Sequence, residues 1–167
     1  MITRFVSFAF VAGLLSFVTP ARAEMKPGDR AADFQSSSKA GSPIRLSSLR
    51  GKIVLVDFWA SWCEPCKREL PILDRLAPRL RARGIEIVTV NIDDDAKNEE
   101  RFLKDKGLHA ITVVHDADKS IIAKYEPPKM PSSFVIDRNG VVRAINAGFE
   151  EGDEQKIEKQ LLEWAAK

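Results

Sequence analysis

The chain has 167 residues, 44% of them hydrophobic and 30% charged, with three Trp and nine Phe to build a core and only 9 Gly and 9 Pro. That is the make-up of one globular domain, and it excludes collagen-like, low-complexity and disordered classes. The formal charge is +2, but the surplus cations Arg4 and Arg22 fall in the first 23 residues, and the remaining 24 Lys and Arg face 24 Asp and Glu. A neutral remainder offers no basic footprint, so no nucleic-acid partner is expected.

Residues 1–23 read as an export leader. Met1–Arg4 form a short positive region and Phe5–Val18 an apolar run. Thr19-Pro20-Ala21-Arg22-Ala23 then break the helix, with small residues spaced as an A-x-A peptidase site requires. Cleavage after Ala23 leaves residues 24–167 as a soluble domain in a periplasmic or other extracytoplasmic, oxidising space. The alternative is an uncleaved N-terminal membrane anchor. Against it, a 14-residue helix spans about 21 Å, short of a ~30 Å hydrocarbon layer.

Ile53-Val54-Leu55-Val56-Asp57-Phe58-Trp59 is a nearly continuous run of β-formers, the pattern of a parallel strand buried on both faces. Ala60-Ser61-Trp62 lead from it to Cys63. Pro65 suits a first helical turn, and Leu70, Leu73, Leu76, Ala77 and Leu80 recur at helical spacing up to Arg83-Gly84. Ile85–Ile92 reads as a second parallel strand and Ala96–Lys106, stopped by Gly107, as a helix. A short strand over Ile111–Val114 and a helical turn over Asp118–Tyr125 follow. Ser133–Ile136 and Val141–Ile145 flank Asp137-Arg138-Asn139-Gly140, whose Asn-Gly step predicts a hairpin, and Glu151–Ala166 is a terminal helix.

The cysteines are Cys63 and Cys66, spaced C-x-x-C. As a staple, a loop this short adds only about 2 kcal/mol, against roughly 4 for long loops, so the spacing fits chemistry better. Zinc is the competing reading, but a structural site wants four ligands, and His109 and His115 lie far off in sequence, so no metal is assigned. Cys63 falls where a buried strand hands over to a helix. Free backbone N–H groups and the helix dipole favour thiolate there, which makes Cys63 a nucleophile at the surface and Cys66, one turn deeper, a shielded resolving thiol. Asp57 is the ionisable group of the first buried strand; either it is a raised-pKa base or it is capped at the strand's rim. Asp93-Asp94-Asp95 reads as a turn capping the next helix, and the histidines as surface or packing residues.

The run Trp59-Ala60-Ser61-Trp62-Cys63-Glu64-Pro65-Cys66, with Met130-Pro131-Ser132-Ser133-Phe134 before the hairpin, resembles the thioredoxin fold. The lead-in Asp33-Phe34 and Leu46–Lys52 is similar to that of the exported thioredoxin-like reductases of the TlpA, ResA and CcmG type. The resemblance runs from about residue 26 to the end. It departs at Ala32, where the family often has Pro, and at Met130, where many members carry Thr or Ile. It implies an α/β thioredoxin fold, a central mixed β-sheet flanked by helices, preceded by an N-terminal β-hairpin. It further implies a cis peptide at Pro131, the alternative being an ordinary turn proline. With Pro131 cis, the Met130 backbone lies beside Cys63 and pairs with an extended substrate. Trp62, Glu64 and Pro65 complete the implied substrate surface. Asp57 matches the thioredoxin acid beneath the resolving cysteine, and Thr89 stands where thioredoxins have a Lys partner for it.

The leading function is therefore a thiol-disulfide oxidoreductase that reduces disulfides in partner proteins, apocytochrome c among them. Its redox group is the Cys63–Cys66 pair with no added cofactor, recharged by a membrane dithiol donor of the DsbD or CcdA kind, and a monomer is expected. An oxidase for exported chains and a non-catalytic metal-binding module are the alternatives. Peroxidase chemistry is a minor one, since it requires no second cysteine three residues away.

Overall fold

The computed structural model describes residues 24–39 and 41–167; the leader, its cleavage site and the alternative anchor lie outside the described residues. No helix among the described residues is long and apolar enough to cross a membrane. The elements run β1 (Gln35–Ser37), β2 (Pro43–Arg45), β3 (Ile53–Trp59), α1 (Glu64–Arg81), β4 (Ile85–Asn91), α2 (Ala96–Lys106), β5 (Thr112–His115), α3 (Ile122–Tyr125), β6 (Ser132–Ile136), β7 (Val142–Ala147) and α4 (Asp153–Ala165).

Five strands form a mixed sheet in the order β5-β4-β3-β6-β7. β3 is parallel to β4 and antiparallel to β6, so every residue of β3 is buried. β1 and β2 form the expected antiparallel hairpin. The hairpin closes the sheet's edge: Lys39 N donates to Val113 O at 2.9 Å and Ser38 bridges Val114, which leaves β5 less open to foreign strands.

Alternation along β3 divides the core in two. Leu55 and Trp59 face α1 and α4 with Leu70, Leu73, Val135, Ile157 and Leu161. Val54, Val56 and Phe58 face the other way, against Phe134, Ile136 and Tyr125. There Phe58, Phe134 and Tyr125 pack ring to ring at 5.1 to 5.8 Å, and Tyr125 Oη donates to Ala32 O at 2.9 Å.

Several boundaries differ from the sequence reading because side chains hold the backbone. β5 starts at Thr112, not Ile111, since Asp74 Oδ1 accepts the N–H groups of His109, Ala110 and Ile111 at 2.9, 2.6 and 3.0 Å. The predicted turn from Asp118 shrinks to α3: Asp116 accepts from Ile121 N and Ile122 N, and Lys119 is left-handed at φ 58°. β7 extends to Ala147 because its irregularity between Val135 and Ile136 shifts the register, pairing Ser133 with Asn146. Glu150 N bonds the Asp153 carboxylate, which delays α4 by two residues.

Candidate redox site

Cys63 is the N-cap of α1, and its Sγ accepts from Cys66 N at 3.3 Å. A cap sulfur aimed at a free helical N–H is where thiolate charge is best stabilised. The two sulfurs form a disulfide with Cα atoms 5.3 Å apart. Cys63 is 4% exposed and Cys66 0%. Both are buried in the disulfide, so Cys63 is far less open than the surface thiol expected from sequence.

That loop is braced from the end of β4. Asp93, 1% exposed, accepts Ser61 N at 3.1 Å, Ser61 Oγ at 3.0 Å and Asn91 Nδ2 at 2.9 Å. Lys119 Nζ donates to the carbonyls of Ile92 and Asp93. The capping assigned to the three aspartates therefore falls to Asp95, which accepts from Lys97 N. His115 lies against Glu99 at 2.9 Å and against Asn91 Oδ1 at 3.1 Å, and His109 against Gly107 O at 2.7 Å.

Trp62 is 64% exposed, the one large hydrophobic side chain left open among the described residues. Pro65 occupies the first turn of α1, and Met130, half-buried, packs against both core layers. The Met130–Pro131 bond is cis. Pro65 and Met130 line one cleft of about 330 Å³ with Arg68, Lys129, Gly148 and Phe149, which brings together residues 65 apart in sequence. Glu64 lies outside that cleft. It is exposed and paired with Lys67 Nζ at 3.0 Å, and the hydrogen bond and charge of Lys67 hold its carboxyl below the usual range.

Asp57 is wholly buried with no hydrogen-bond partner for either oxygen, which removes the rim reading. Its strand neighbours are Thr89 on β4 and Ser133 on β6. Burial first, and the nearby Glu69 second, push its carboxyl well above the ordinary range. Glu69, 1% exposed, is pushed up to about 8 by burial and by Asp153. Sequence reasoning missed Glu69, although the signal was present: it lies three residues after Cys66 and four before Leu73, on the apolar stripe of α1. Among the described residues neither acid has an ion-pair partner, and burial disfavours the charged form of both.

Comparison with known proteins agrees with this geometry. The AhpC/TSA family model matches residues 27–145. The thiol-disulfide oxidoreductase ResA of Geobacillus thermodenitrificans is 37% identical over 121 residues, covering 72% of this chain and 69% of its own. That of Bacillus subtilis is 34% identical over 121 residues, 72% of this chain and 67% of its own. A crystal structure of a candidate thiol:disulfide interchange protein DsbE from Chlorobium tepidum superposes with a TM-score of 0.79 at 35% identity, covering 85% of this chain and 99% of that one. A C-x-x-C disulfide at a helix N-terminus on a thioredoxin-like sheet, matched over most of the chain, places it in the AhpC/TSA family as a thiol-disulfide oxidoreductase of the ResA and DsbE type.

Proposed function

We propose that the protein is exported and reduces disulfides in partner proteins, apocytochrome c cysteine pairs among them. The Cys63 thiolate attacks one sulfur of the partner's disulfide, forming a mixed disulfide and releasing the partner's other sulfur as thiolate. Cys66 gives its proton to Asp57 and attacks Cys63 Sγ. The Cys63–Cys66 disulfide forms, and the second partner thiolate leaves and takes up a proton. A membrane dithiol donor of the DsbD or CcdA kind then reduces the pair, and Asp57 returns the proton to Cys66. Trp62, Pro65 and the Met130 backbone beside Pro131 receive the partner chain, with Glu64 at the edge.

The observation that carries the reducing direction is the company of the buried sulfur. An oxidant needs a strongly stabilised thiolate, whereas here the N-terminus of α1 is the main stabilising device, and neither of the buried acids Asp57 and Glu69 has a cation bonded to it. Equilibration of the purified protein with glutathione at pH 7 should give a potential near the thioredoxin value of about −270 mV. A value above about −180 mV would overturn the reductase reading and promote the oxidase. In the same protein, Cys66→Ala should accumulate partners as mixed disulfides and Cys63→Ala should accumulate none.

A further inference from the structure

The buried polar atoms left without a partner among the described residues belong to Asp57, Glu69, Asn146 and Trp59. All four lie on the side of the sheet that faces α1 and α4. β3 turns Leu55, Asp57 and Trp59 that way, β6 turns Ser133 and Val135, and β7 turns Ala144 and Asn146. A polar stripe therefore crosses the sheet in register: Thr89, Asp57, Ser133 and Asn146. Asn146 Nδ2 donates to Ser133 Oγ at 3.3 Å and to Gln160 Oε1 of α4 at 3.1 Å.

That arrangement settles what Ser133 can offer. A hydroxyl has one proton and two lone pairs. Asn146 occupies a lone pair, so the Ser133 proton is free to be given, and the side chain across from it in the strand pair is Asp57. Directly opposed Cβ atoms on antiparallel strands are about 4.5–5.5 Å apart, so a rotation about χ1 closes the bond. On the other flank Thr89 turns its hydroxyl to Thr112 O, 3.5 Å away. The charged group that acts on Asp57 is Glu69 of α1, with Asp153 of α4 acting on Glu69 in turn; neither is a cation.

We propose that Ser133 is a positioning residue of the redox site: anchored through Asn146 to Gln160, its hydroxyl donates to the Asp57 carboxylate once that acid is ionised in the reduced protein. Ser133 thus makes the acid usable as a proton acceptor in a place that otherwise forbids its charge. Asn146 and Gln160 carry the arrangement to α4.

The proposal rests on the proton-handling role given to Asp57, but its test does not. The titration of Asp57 is followed in the reduced protein by carboxyl-carbon NMR with label confined to aspartate, which leaves Glu69 silent, and Asp57→Asn assigns the signal. Ser133→Ala should raise the Asp57 midpoint by about one pH unit, as for losing one hydrogen bond to a charged group. Ser133→Thr, which keeps a hydroxyl, should restore it, and Ser133→Val, its isostere without one, should not. An unchanged or lowered midpoint in Ser133→Ala, or a Thr variant that behaves like Val, would overturn the proposal. If Asp57→Asn left exchange at its normal rate, the role of Asp57 would fail while the midpoint shift still stood.

Discussion

Asp57 and Phe58 are consecutive residues of one buried strand, and they look into opposite halves of the core. Phe58 meets Tyr125 and Phe134 in a layer whose one buried phenol is bonded to Ala32 O, so nothing polar is left over. Asp57 meets a layer that holds Cys66, Glu69 and Asn146, where four buried oxygens lack a hydrogen-bond partner. The apolar half follows the rule that buried polar groups are satisfied; the other half breaks it repeatedly beneath the disulfide. Departures from that rule cluster where a protein keeps its chemistry, because an acid that cannot easily ionise is one that exchanges protons near neutral pH. The sheet thus divides the labour, with one face for stability and the other for exchange.

The hardest test of that division is to cut each face in turn. Phe58→Ala should cost about 3–5 kcal/mol in urea unfolding, the usual range for deleting a buried ring, while exchange per folded molecule stays normal. Asp57→Asn should do the reverse. Stability should hold or rise, since a buried unpaired acid is replaced by a neutral isostere, and resolution of a trapped mixed disulfide should slow about 100-fold, as for loss of a proton acceptor. A Phe58→Ala protein that stays folded but exchanges slowly would show that the two faces are not separable.

Much of this division was legible in the sequence. The bounds of β3 and α2 emerge exactly from apolar runs and stop signals, and the strand-to-helix junction at Cys63 needed only Pro65 and the leucine spacing of α1. Asp57 stood out because a lone acid in an apolar strand breaks a pattern. Glu69 was hidden for the opposite reason, as an acid between Lys67, Arg68 and Leu70 looks like the solvated side of a helix. Ser61–Asp93 and Ser133–Asn146 pair residues 32 and 13 apart through side chains. No local period encodes such bonds; they depend on which strands become neighbours. The start of β5 was likewise displaced by Asp74, 37 residues from Ile111.

A milder probe uses pH, on the oxidised protein so that the thiols do not titrate. Glu69 in the folded state is pushed up to about 8, above its value of 4.5 in an unfolded chain. The folded state therefore binds the proton more tightly, and the stability this contributes is present below pH 4.5 and is lost as pH rises toward 8. Asp57, also raised, acts in the same sense. Unfolding free energy should fall across that window, by up to about 1.4 kcal/mol per pH unit for each group. Glu69→Gln should flatten the slope. An equal slope in the variant would mean that Glu69 is ionised while buried, and the polar half would then need a cation it does not display.

The smallest effect belongs to the acid that only sequence made prominent. Glu64 lies within the C-x-x-C itself, yet it is exposed and its charge is balanced by Lys67. Lys67→Gln leaves that charge opposed only more weakly, by Arg68 and Lys106, and should raise, by a small fraction of a pH unit, the pH at which reduced Cys63 ionises, read from thiolate absorbance. Because the charges are in water, the change should vanish in 1 M salt, where the screening length is about 3 Å. Glu69→Gln should shift the same reading the other way to the extent that Glu69 is ionised at that pH, and salt should leave that shift nearly intact because the carboxylate is buried. Equal salt sensitivity in the two variants would erase the distinction between the exposed and the buried acid, and with it the claim that the inner face of the sheet, more than the residues inside the motif, tunes the cysteines.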